Sequence, residues 1–420
     1  MNYKRLLLVL LTYSLLINVN IYGQSIKIEG ELRTRGEFRD GFRAPLADSL
    51  NPAFVNNMRA RLTAFYETKE YRIKVTVQDT KTYGSTGINN TGNSLGLYEA
   101  WAEYFFSPKF SGILGRQALE YDDNRLFSST NWSNTPIAHD LLKLKYESSK
   151  FKVHLGGAWN NASDVLYESV YDKGYQSLLY SWVQKTFENF TTSFIWVNDG
   201  FQRKNETQNP KTSIYRNTTG INVEMKNKEI PISFYTTGYY QFGYDRDDHK
   251  LDAFLLALKS HYKFSDKITA IFGGDYFSGT KYNASKNKDY TFNKLYGANH
   301  AFNGSIEYWT TPPRQGLIDL YGGIEIKTNS KLKFSGNFHT FSTSQKMKNR
   351  ENKDIGSEFD LQVDYKLSPS LSIQGGWSTY LKNRGTEIIK KQEEINTHFP
   401  QWAYIMITIK PVFFSTIKEK

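Results

Sequence analysis

A row of charged side chains lies near the start of the chain. In the segment IKIEGELRTRGEFR every second residue from Lys27 to Arg39 is charged, and most of the basic ones are arginines. A guanidinium group binds a carboxylate in a two-point fork, which suits uronates or other anionic sugars. Carboxylates between the basic residues would weaken the binding of an anionic ligand, so that it could be released. In the alternative interpretation the charges are only ion pairs that fill a wall. The candidate solute-selecting residues are Lys27, Arg33, Arg35, Arg59, Arg61, Arg72, Lys74, Glu99, Glu103 and Arg116.

Other kinds of site chemistry have little support in the sequence. The chain has no cysteine, which excludes disulfides, thiol catalysis and cysteine-ligated metals. Its seven histidines lack the spacing of a transition-metal site, and neither a Gly-x-Ser-x-Gly elbow nor a phosphate-binding glycine loop occurs. No cofactor is therefore predicted. Five aspartates in expected loops could bind calcium, or could be ordinary solvated loop acids: Asp122, Asp123, Asp245, Asp247 and Asp248.

The alternation that places these charges on one face is a strand pattern, because only a strand turns successive side chains to opposite faces. The same alternation recurs along the chain in segments of about ten residues, the length that a tilted membrane strand needs. The segment Leu251–Leu258 is apolar on both faces, so the pattern does not orient it. Other alternating segments are Tyr71–Val77, Phe151–Trp159, Leu332–Phe338, Phe359–Leu367 and Leu371–Trp377.

Short polar turns separate these segments at intervals of about 40 residues, with longer polar segments between them. Short turns on one side and long loops on the other are typical of outer-membrane barrels. Eight tight turns, with both termini on the same side, predict an all-β fold, a transmembrane antiparallel β-barrel of about 18 strands. The predicted turns lie near Lys69, Pro108, Ser149, Glu188, Lys228, Ser265, Asn329 and Pro369.

One interval between turns is longer than the others. From Ser265 to Asn329 it is 64 residues, and the excess falls between Gly279 and Pro313. Counting the strand-like piece inside it as a spanning strand would break the alternation of turns. We therefore assign residues 279–313 to a long loop that is a candidate for folding into the pore. A β-propeller could also give a 40-residue period, but no recurrent blade signature is present.

The first 23 residues are predicted to be a secretory signal peptide. Lys4 and Arg5 precede an apolar run from Leu6 to Ile17, and the small residue Gly23 precedes the expected cleavage point. A secreted chain without cysteine fits a Gram-negative bacterial envelope. Residues 24–420 are then expected to form a single barrel domain. The mean hydropathy of −0.57 excludes a protein of many membrane helices.

Two stretches resemble the alginate-export family of bacterial outer-membrane channels. The first is GRQALEYDDNRLFSSTNWSNTPIAHDLLKLKY, residues 115–146, and the second is LYGANHAFNGSIEYW, residues 295–309. The family fold is an 18-stranded barrel, which agrees with the turn count. The resemblance adds Arg125 to the candidate pore-lining residues. Positions that match the family pattern are Gly115, Arg116, Gln117, Arg125, Leu126, Trp132 and Asp140, while His139 stands where an aromatic residue is more usual.

These observations lead to a passive channel as the main hypothesis. The expected cargo is an anionic or neutral oligosaccharide or polysaccharide, selected by charge, with export and periplasmic export partners as an open alternative. A general porin for small nutrients is the second hypothesis, and a barrel enzyme or adhesin is the third. Expected partners also include outer-membrane lipid and the barrel-assembly machinery, since Ala403 to Phe414 resembles the terminal strand that this machinery recognises. No basic helix accompanies the net charge of +11, so nucleic acid is not expected.

Overall fold

The structure is a computed structural model that describes residues 24–88, 95–204, 210–226, 229–348, 350–391 and 397–417. The predicted signal peptide, residues 1–23, lies outside the described residues, as do residues 89–94, 205–209, 227–228, 349, 392–396 and 418–420. No helix in the described ranges is long and apolar enough to cross a membrane.

Eighteen long strands of the described chain form one closed antiparallel sheet. Two short strands, β14 (Lys288–Asp289) and β20 (Val412–Ser415), and one short helix, α1 (Arg384–Lys390), complete the fold. The long strands are β1 (Ser25–Asp40), β2 (Ala53–Glu67), β3 (Tyr71–Thr82), β4 (Gly96–Ser107), β5 (Phe110–Gln117), β6 (His139–Glu147), β7 (Phe151–Trp159), β8 (Ser177–Thr186), β9 (Phe190–Lys204), β10 (Pro210–Lys226), β11 (Ile232–Tyr244), β12 (Lys250–Lys263), β13 (Ile268–Phe277), β15 (Leu317–Lys327), β16 (Leu332–Ser342), β17 (Asp354–Ser368), β18 (Leu371–Leu381) and β19 (Gln401–Ile409).

The barrel closes where β1 pairs with β19 as well as with β2. Seven of the eight tight turns lie where the sequence predicts them, the turn near Lys228 lies outside the described residues, and the segment from 305 to 310 is not a strand. The prediction of an all-β transmembrane barrel of 18 strands is therefore confirmed. Closure removes unpaired strand edges, which lipid could not satisfy with hydrogen bonds.

Side-chain exposure identifies the inner and outer faces of the wall. In β1, Arg33, Arg35 and Glu37 are buried, whereas Leu32 and Phe38 are exposed on the outside. Charged groups are costly beside lipid near the middle of the membrane, so an alternating strand turns them to the lumen. The predicted row of charges on β1 thus lies on the inner wall.

The strand that the sequence could not orient also has a definite inner face. In β12, Leu251, Ala253 and Leu255 are buried, while Phe254 and Leu256 are exposed on the lipid side. The inner face is apolar because a loop covers it: β14 pairs in parallel with the start of β12. This part of the wall is packed against protein.

Candidate solute pathway and its constriction

Two long loops meet inside the barrel. The first lumenal loop (residues 118–138) connects β5 to β6, and the second lumenal loop (residues 278–316) connects β13 to β15. Between them, Tyr296 N donates to Leu126 O over 3.0 Å and Ser128 N donates to Tyr296 O over 3.1 Å. A Cβ atom on Gly297 would lie 2.0 Å from Arg125 O, so only glycine permits this approach. The two loops therefore form one connected body.

The first lumenal loop is held by arginines of β1 and β2. Arg33 Nη1 donates to Asn131 O at 2.7 Å, and its Nη2 reaches Trp132 O, Ser133 O and Asn134 Oδ1 between 2.9 and 3.1 Å. Arg59 Nη1 donates to Asn131 O at 2.9 Å and Ser133 O at 3.0 Å. These guanidinium groups are occupied by neutral carbonyl oxygens of the loop, so they anchor it.

Two further arginines complete the same cluster. The Arg35 guanidinium lies 4.5 Å from the Trp132 ring centroid and donates to Trp132 O at 3.0 Å. Arg61 donates to Asn131 Oδ1 at 3.0 Å and lies over the Tyr98 ring. The β1–β2 hairpin brings the four arginines together, with Arg33 directly opposite Arg59. All four arginines are candidate solute-selecting residues from the sequence, which does not predict that a loop would occupy them.

Arg125 joins the first lumenal loop to the opposite wall. Its Nη1 and Nη2 donate to the two oxygens of Asp275 on β13, at 2.7 and 2.8 Å. The guanidinium also lies 4.0 Å from the Phe302 ring centroid of the second lumenal loop. Burial alone would lower the pKa of Arg125, but Asp275 and Asp123 outweigh it and raise the pKa. Arg125 is buried and paired, so it joins the first lumenal loop to β13 and to the second lumenal loop and does not face the open lumen.

The second lumenal loop contacts inward-facing acids on several strands. Asn303 Nδ2 donates to Asp275 at 3.4 Å and to Asp319 on β15 at 3.3 Å. Ile306 N donates to Glu358 on β17 at 2.8 Å. The second lumenal loop thus lies against the inner wall of its own two strands and of β17.

The remaining predicted residues on the inner wall form ion pairs toward the tight-turn side. Lys27 Nζ lies 2.5 Å from Glu29, and Lys74 pairs with Glu99. Arg72 lies 2.9 Å from Glu67 and 3.4 Å from Glu103, which also accepts from Lys145 at 3.2 Å. These contacts match the alternative interpretation of a wall filled by ion pairs.

Arg116 was predicted to face inward, and this is wrong. It pairs with Asp140 at 2.7 Å, and the two side chains are 37% and 59% exposed, on the same outer face as Leu114 and Leu142. Arg116 lies at the long-loop end of β5, where the cost of a lipid-facing arginine falls to about 0–1 kcal/mol. The cost of a lipid-facing charge near the middle of the membrane therefore does not apply to Arg116.

Several residues that hold the loops were missed by the sequence analysis. Asp275 and Asp319 are single acids in otherwise apolar strand segments, and Glu358 is fully buried beside the second lumenal loop. Arg43 donates to Glu307 at 2.6 Å, which joins the β1–β2 loop to the same segment. The usable signal was the single acid in an apolar strand, because such a residue must find a buried partner.

Open cavities remain around the two loops. The largest, about 690 Å³, is lined by Arg35, Arg39 and Arg43 and by many hydroxyl and amide groups. A second, of about 440 Å³, lies beside Arg61, Lys74 and Lys143, and a third, of about 520 Å³, lies beside Lys259 and His261. The first two cavities adjoin each other at the first lumenal loop, where they share three lining residues: Glu120, Ser129 and Asn131.

The loop aspartates considered for calcium are engaged by protein groups. Asp122 accepts from Trp182 Nε1 at 2.9 Å and from Ser193 Oγ at 2.6 Å. Asp245 accepts from the ring and the backbone of His249, at 2.8 Å each. Hydrogen bonds within the fold thus occupy Asp122, whereas the ligand atoms of Asp245, Asp247 and His249 lie within 4.8 Å of one another, a spacing that could hold a metal ion.

A buried lysine makes the second lumenal loop sensitive to pH. Burial, with a contribution from Arg125, lowers the pKa of Lys294 to about 7, while Asp275, Glu307 and Asp319 oppose the shift. A withdrawn loop would hold this lysine at its ordinary value near 10.5. Between pH 7 and 10.5 the withdrawn state of the loop binds more protons than the inserted state, so the inserted state becomes more stable as pH rises. Below pH 7 the lysine is protonated in both states, and its contribution no longer changes with pH.

We therefore expect fluctuations of single-channel current to decrease as pH rises from 7 to 9. The variant Lys294→Met fills the same space without a titrating group and should lose this dependence. Planar bilayer recordings of both proteins would check it. An equal pH response in the variant would assign the dependence to another group.

The chain is similar to known proteins in sequence pattern and in fold. The family model described as "Alginate export" matches residues 24–381. Similar solved structures include Acinetobacter baumannii OccAB4, with a TM-score of 0.63, 12% identity and coverage of 94% of this chain and 100% of that one. Pseudomonas aeruginosa OprD gives a TM-score of 0.60, 11% identity and coverage of 92% and 94%. At such identity these structures show the fold. A search of curated protein sequences found no match.

Proposed function

The chain belongs to the alginate export family, and on that premise we propose a passive channel for small saccharides that are neutral or carry a single carboxylate. Its place is the bacterial outer membrane, and its barrel is that of an outer-membrane channel. The proposal concerns the solute, which neither the family nor the fold determines. The lining of the largest cavity supports it most.

That lining is rich in neutral hydrogen-bonding groups. A polyhydroxyl solute can exchange its hydrogen bonds with water for bonds to such groups, so it crosses a narrow region with little desolvation cost. The cavity volume of about 690 Å³ has room for a mono- or disaccharide. The hydroxyl and amide residues are Asn124, Ser128, Ser129, Thr130, Asn131, Ser133, Thr135, Asn299 and Thr310.

The charges of this cavity are nearly balanced. Arg39 donates to Glu37 from both Nε and Nη2, at 3.1 and 2.9 Å, and Arg43 donates in the same way to Glu307. Asp123 and Glu120 are further acids in the lining. Balanced pairs orient a solute without strong attraction to either sign of charge, which favours weak rather than strict selection of anions.

The positions of the two loops favour a small solute over a polymer. The first lumenal loop is anchored by four arginines and the second by Asn303 and Ile306, so a polysaccharide could pass only after both loops moved. Export of a polymer therefore has less support than diffusion of small sugars. A general porin for small nutrients remains the second candidate because the charge balance fits it equally well.

Flux through reconstituted proteoliposomes tests the proposal. We expect glucose and glucuronate both to enter faster than into protein-free liposomes. Arg43→Gln should reduce the glucuronate rate several-fold relative to glucose. Arg384→Gln is the matched control, since its side chain is 73% exposed against 66% for Arg43, and each pairs with one glutamate. If amino acids enter rapidly and neither sugar does, the general porin should be preferred.

A further inference from the structure

Four of the predicted tight turns share one local geometry and carry a lysine at the same position, while a fifth, capped by Thr68 Oγ1 at 3.1 Å, has Glu70 there. Ser107 Oγ accepts from the backbone N of Lys109 and Phe110 at 3.3 and 3.1 Å. Ser265 Oγ accepts from the two corresponding nitrogens at 3.2 Å each, and Asn329 Oδ1 does the same at 2.8 and 3.0 Å. Ser148 Oγ accepts from Phe151 N at 3.2 Å. In all four turns the residue two places after the capping side chain is a lysine. These rim lysines are Lys109, Lys150, Lys267 and Lys331.

The backbone of each rim lysine is fixed from the neighbouring hairpin as well. Lys109 O accepts from Glu147 N and Lys150 O accepts from Thr186 N, both at 2.8 Å. Lys267 O and Lys331 O accept equivalent bonds at 2.7 and 2.8 Å. The four lysines therefore occupy equivalent, well-defined positions around one end of the barrel.

The side chains of the rim lysines are exposed and have no ion-pair partner among the described residues. Asp266, which precedes Lys267, is held by Lys263 at 2.7 Å. Phe110, Phe151 and Ile268 directly follow three of the lysines and face the lipid. An amine next to a lipid-facing apolar side chain lies at the depth of the lipid headgroups, where long basic side chains extend toward water.

We propose that the rim lysines bind the phosphate groups of anionic phospholipids in the periplasmic leaflet. Tight turns face the periplasm in barrels of this kind. Lys109 and Lys150 lie on neighbouring turns, and so do Lys267 and Lys331, because β13 pairs with β15. Turns two strands apart are separated by about 10 Å, so each pair can share one or two lipid headgroups.

A fifth lysine, Lys185, lies next to the pair formed by Lys109 and Lys150. Lys185 faces outward on the next turn after Lys150, and its Nζ lies 5.0 Å from the Phe187 ring centroid. Phe187 and Phe190 stack at 4.3 Å and are both exposed on the lipid side. Lysines that lie beside lipid-facing aromatic side chains around the barrel fit a lipid surface. A binding site for an acidic periplasmic protein would instead require lysines clustered on one side of the barrel.

Titration of the purified mature barrel with phosphatidylglycerol and phosphatidylcholine in nanodiscs tests the proposal, with bound lipid counted by native mass spectrometry. The rim variant changes Lys109, Lys150, Lys267 and Lys331 to glutamine. A basic residue near an anionic surface contributes about 1 kcal/mol, or roughly fivefold in affinity, so the rim variant should lose phosphatidylglycerol more than tenfold. Its phosphatidylcholine binding should not change.

The matched control removes four exposed lysines of the long loops, Lys173, Lys281, Lys286 and Lys348, and thus the same net charge. It should retain phosphatidylglycerol. An equal loss in both variants would overturn the proposal, since the effect would be one of net charge. Unchanged phosphatidylglycerol binding in the rim variant would also overturn it. Heat-modifiable migration on gels would confirm that every variant is folded.

Discussion

Replacing residues 281–313 with a short glycine linker should raise single-channel conductance several-fold. The second lumenal loop crosses the barrel and contacts acids on three strands, so its removal should widen the narrowest part of the path. The deletion is compatible with folding, because Thr280 N donates to Arg314 O at 2.7 Å and the two cut ends are adjacent. The pairing of β13 with β15 does not depend on the deleted residues. Planar bilayer recordings measure the change directly.

A deletion in an outer loop serves as the matched control. The β7–β8 connection carries Leu166 and Tyr167, which are 94% and 85% exposed. Removing residues 162–173 should leave the conductance as it is. If both deletions gave the same conductance as the intact protein, the second lumenal loop would not limit the current.

The variant Arg125→Gln should release the first lumenal loop from the wall. The substitution leaves the Asp275 carboxylate buried without its partner, and breaking a buried pair in this way costs about 3–5 kcal/mol. We expect large current fluctuations and rapid proteolysis within residues 118–138, while the strands remain protected. Bilayer recordings and limited proteolysis would measure both effects.

Two further variants test the cause. The double variant Arg125→Gln with Asp275→Asn leaves no buried charge, so much of the lost order should return. Arg72→Gln removes a half-exposed ion pair with Glu67, which contributes only about 0–1 kcal/mol, and a longer contact with Glu103, which keeps Lys145 as a partner, so the current should stay steady. A double variant no better ordered than Arg125→Gln would mean that the Phe302 contact, rather than the charge pair, holds the loop.

The barrel could be predicted from the sequence because its signals are local. The alternation in β1 and the polar turns depend on residues close in the chain, and each tight turn within the described residues lies where the sequence predicts it. The same reasoning could not orient β12, because its inner face is covered by a loop that is distant in sequence. Periodicity reports the environment of a side chain only when that environment is lipid or water.

The constriction was less accessible to such reasoning. Arg33 and Arg59 were identified from the alternation of charges, but their partners in the first lumenal loop are mostly backbone carbonyls of residues 131–133, which carry no sequence signal. Arg116 was misassigned because the rule for lipid-facing charge depends on depth, and depth is not apparent from one strand. The ion pair of Arg125 with Asp275 joins segments that are distant in sequence. These segments come together only in the closed barrel, so neither segment alone predicts the pair.

The seam between β1 and the end of the chain affects how the barrel can assemble. β1 pairs with β19 through residues 32–40 and with β20 through residues 27–29, and Ile26 N donates to Thr416 Oγ1, 390 residues away. Contacts between such distant segments carry the largest loop-closure entropy in the protein and form late. Until they form, β1 and β19 each present an unpaired edge that can recruit another chain. The rate of closure at this seam, rather than the stability of any single hairpin, should therefore set how long the chain is vulnerable to aggregation.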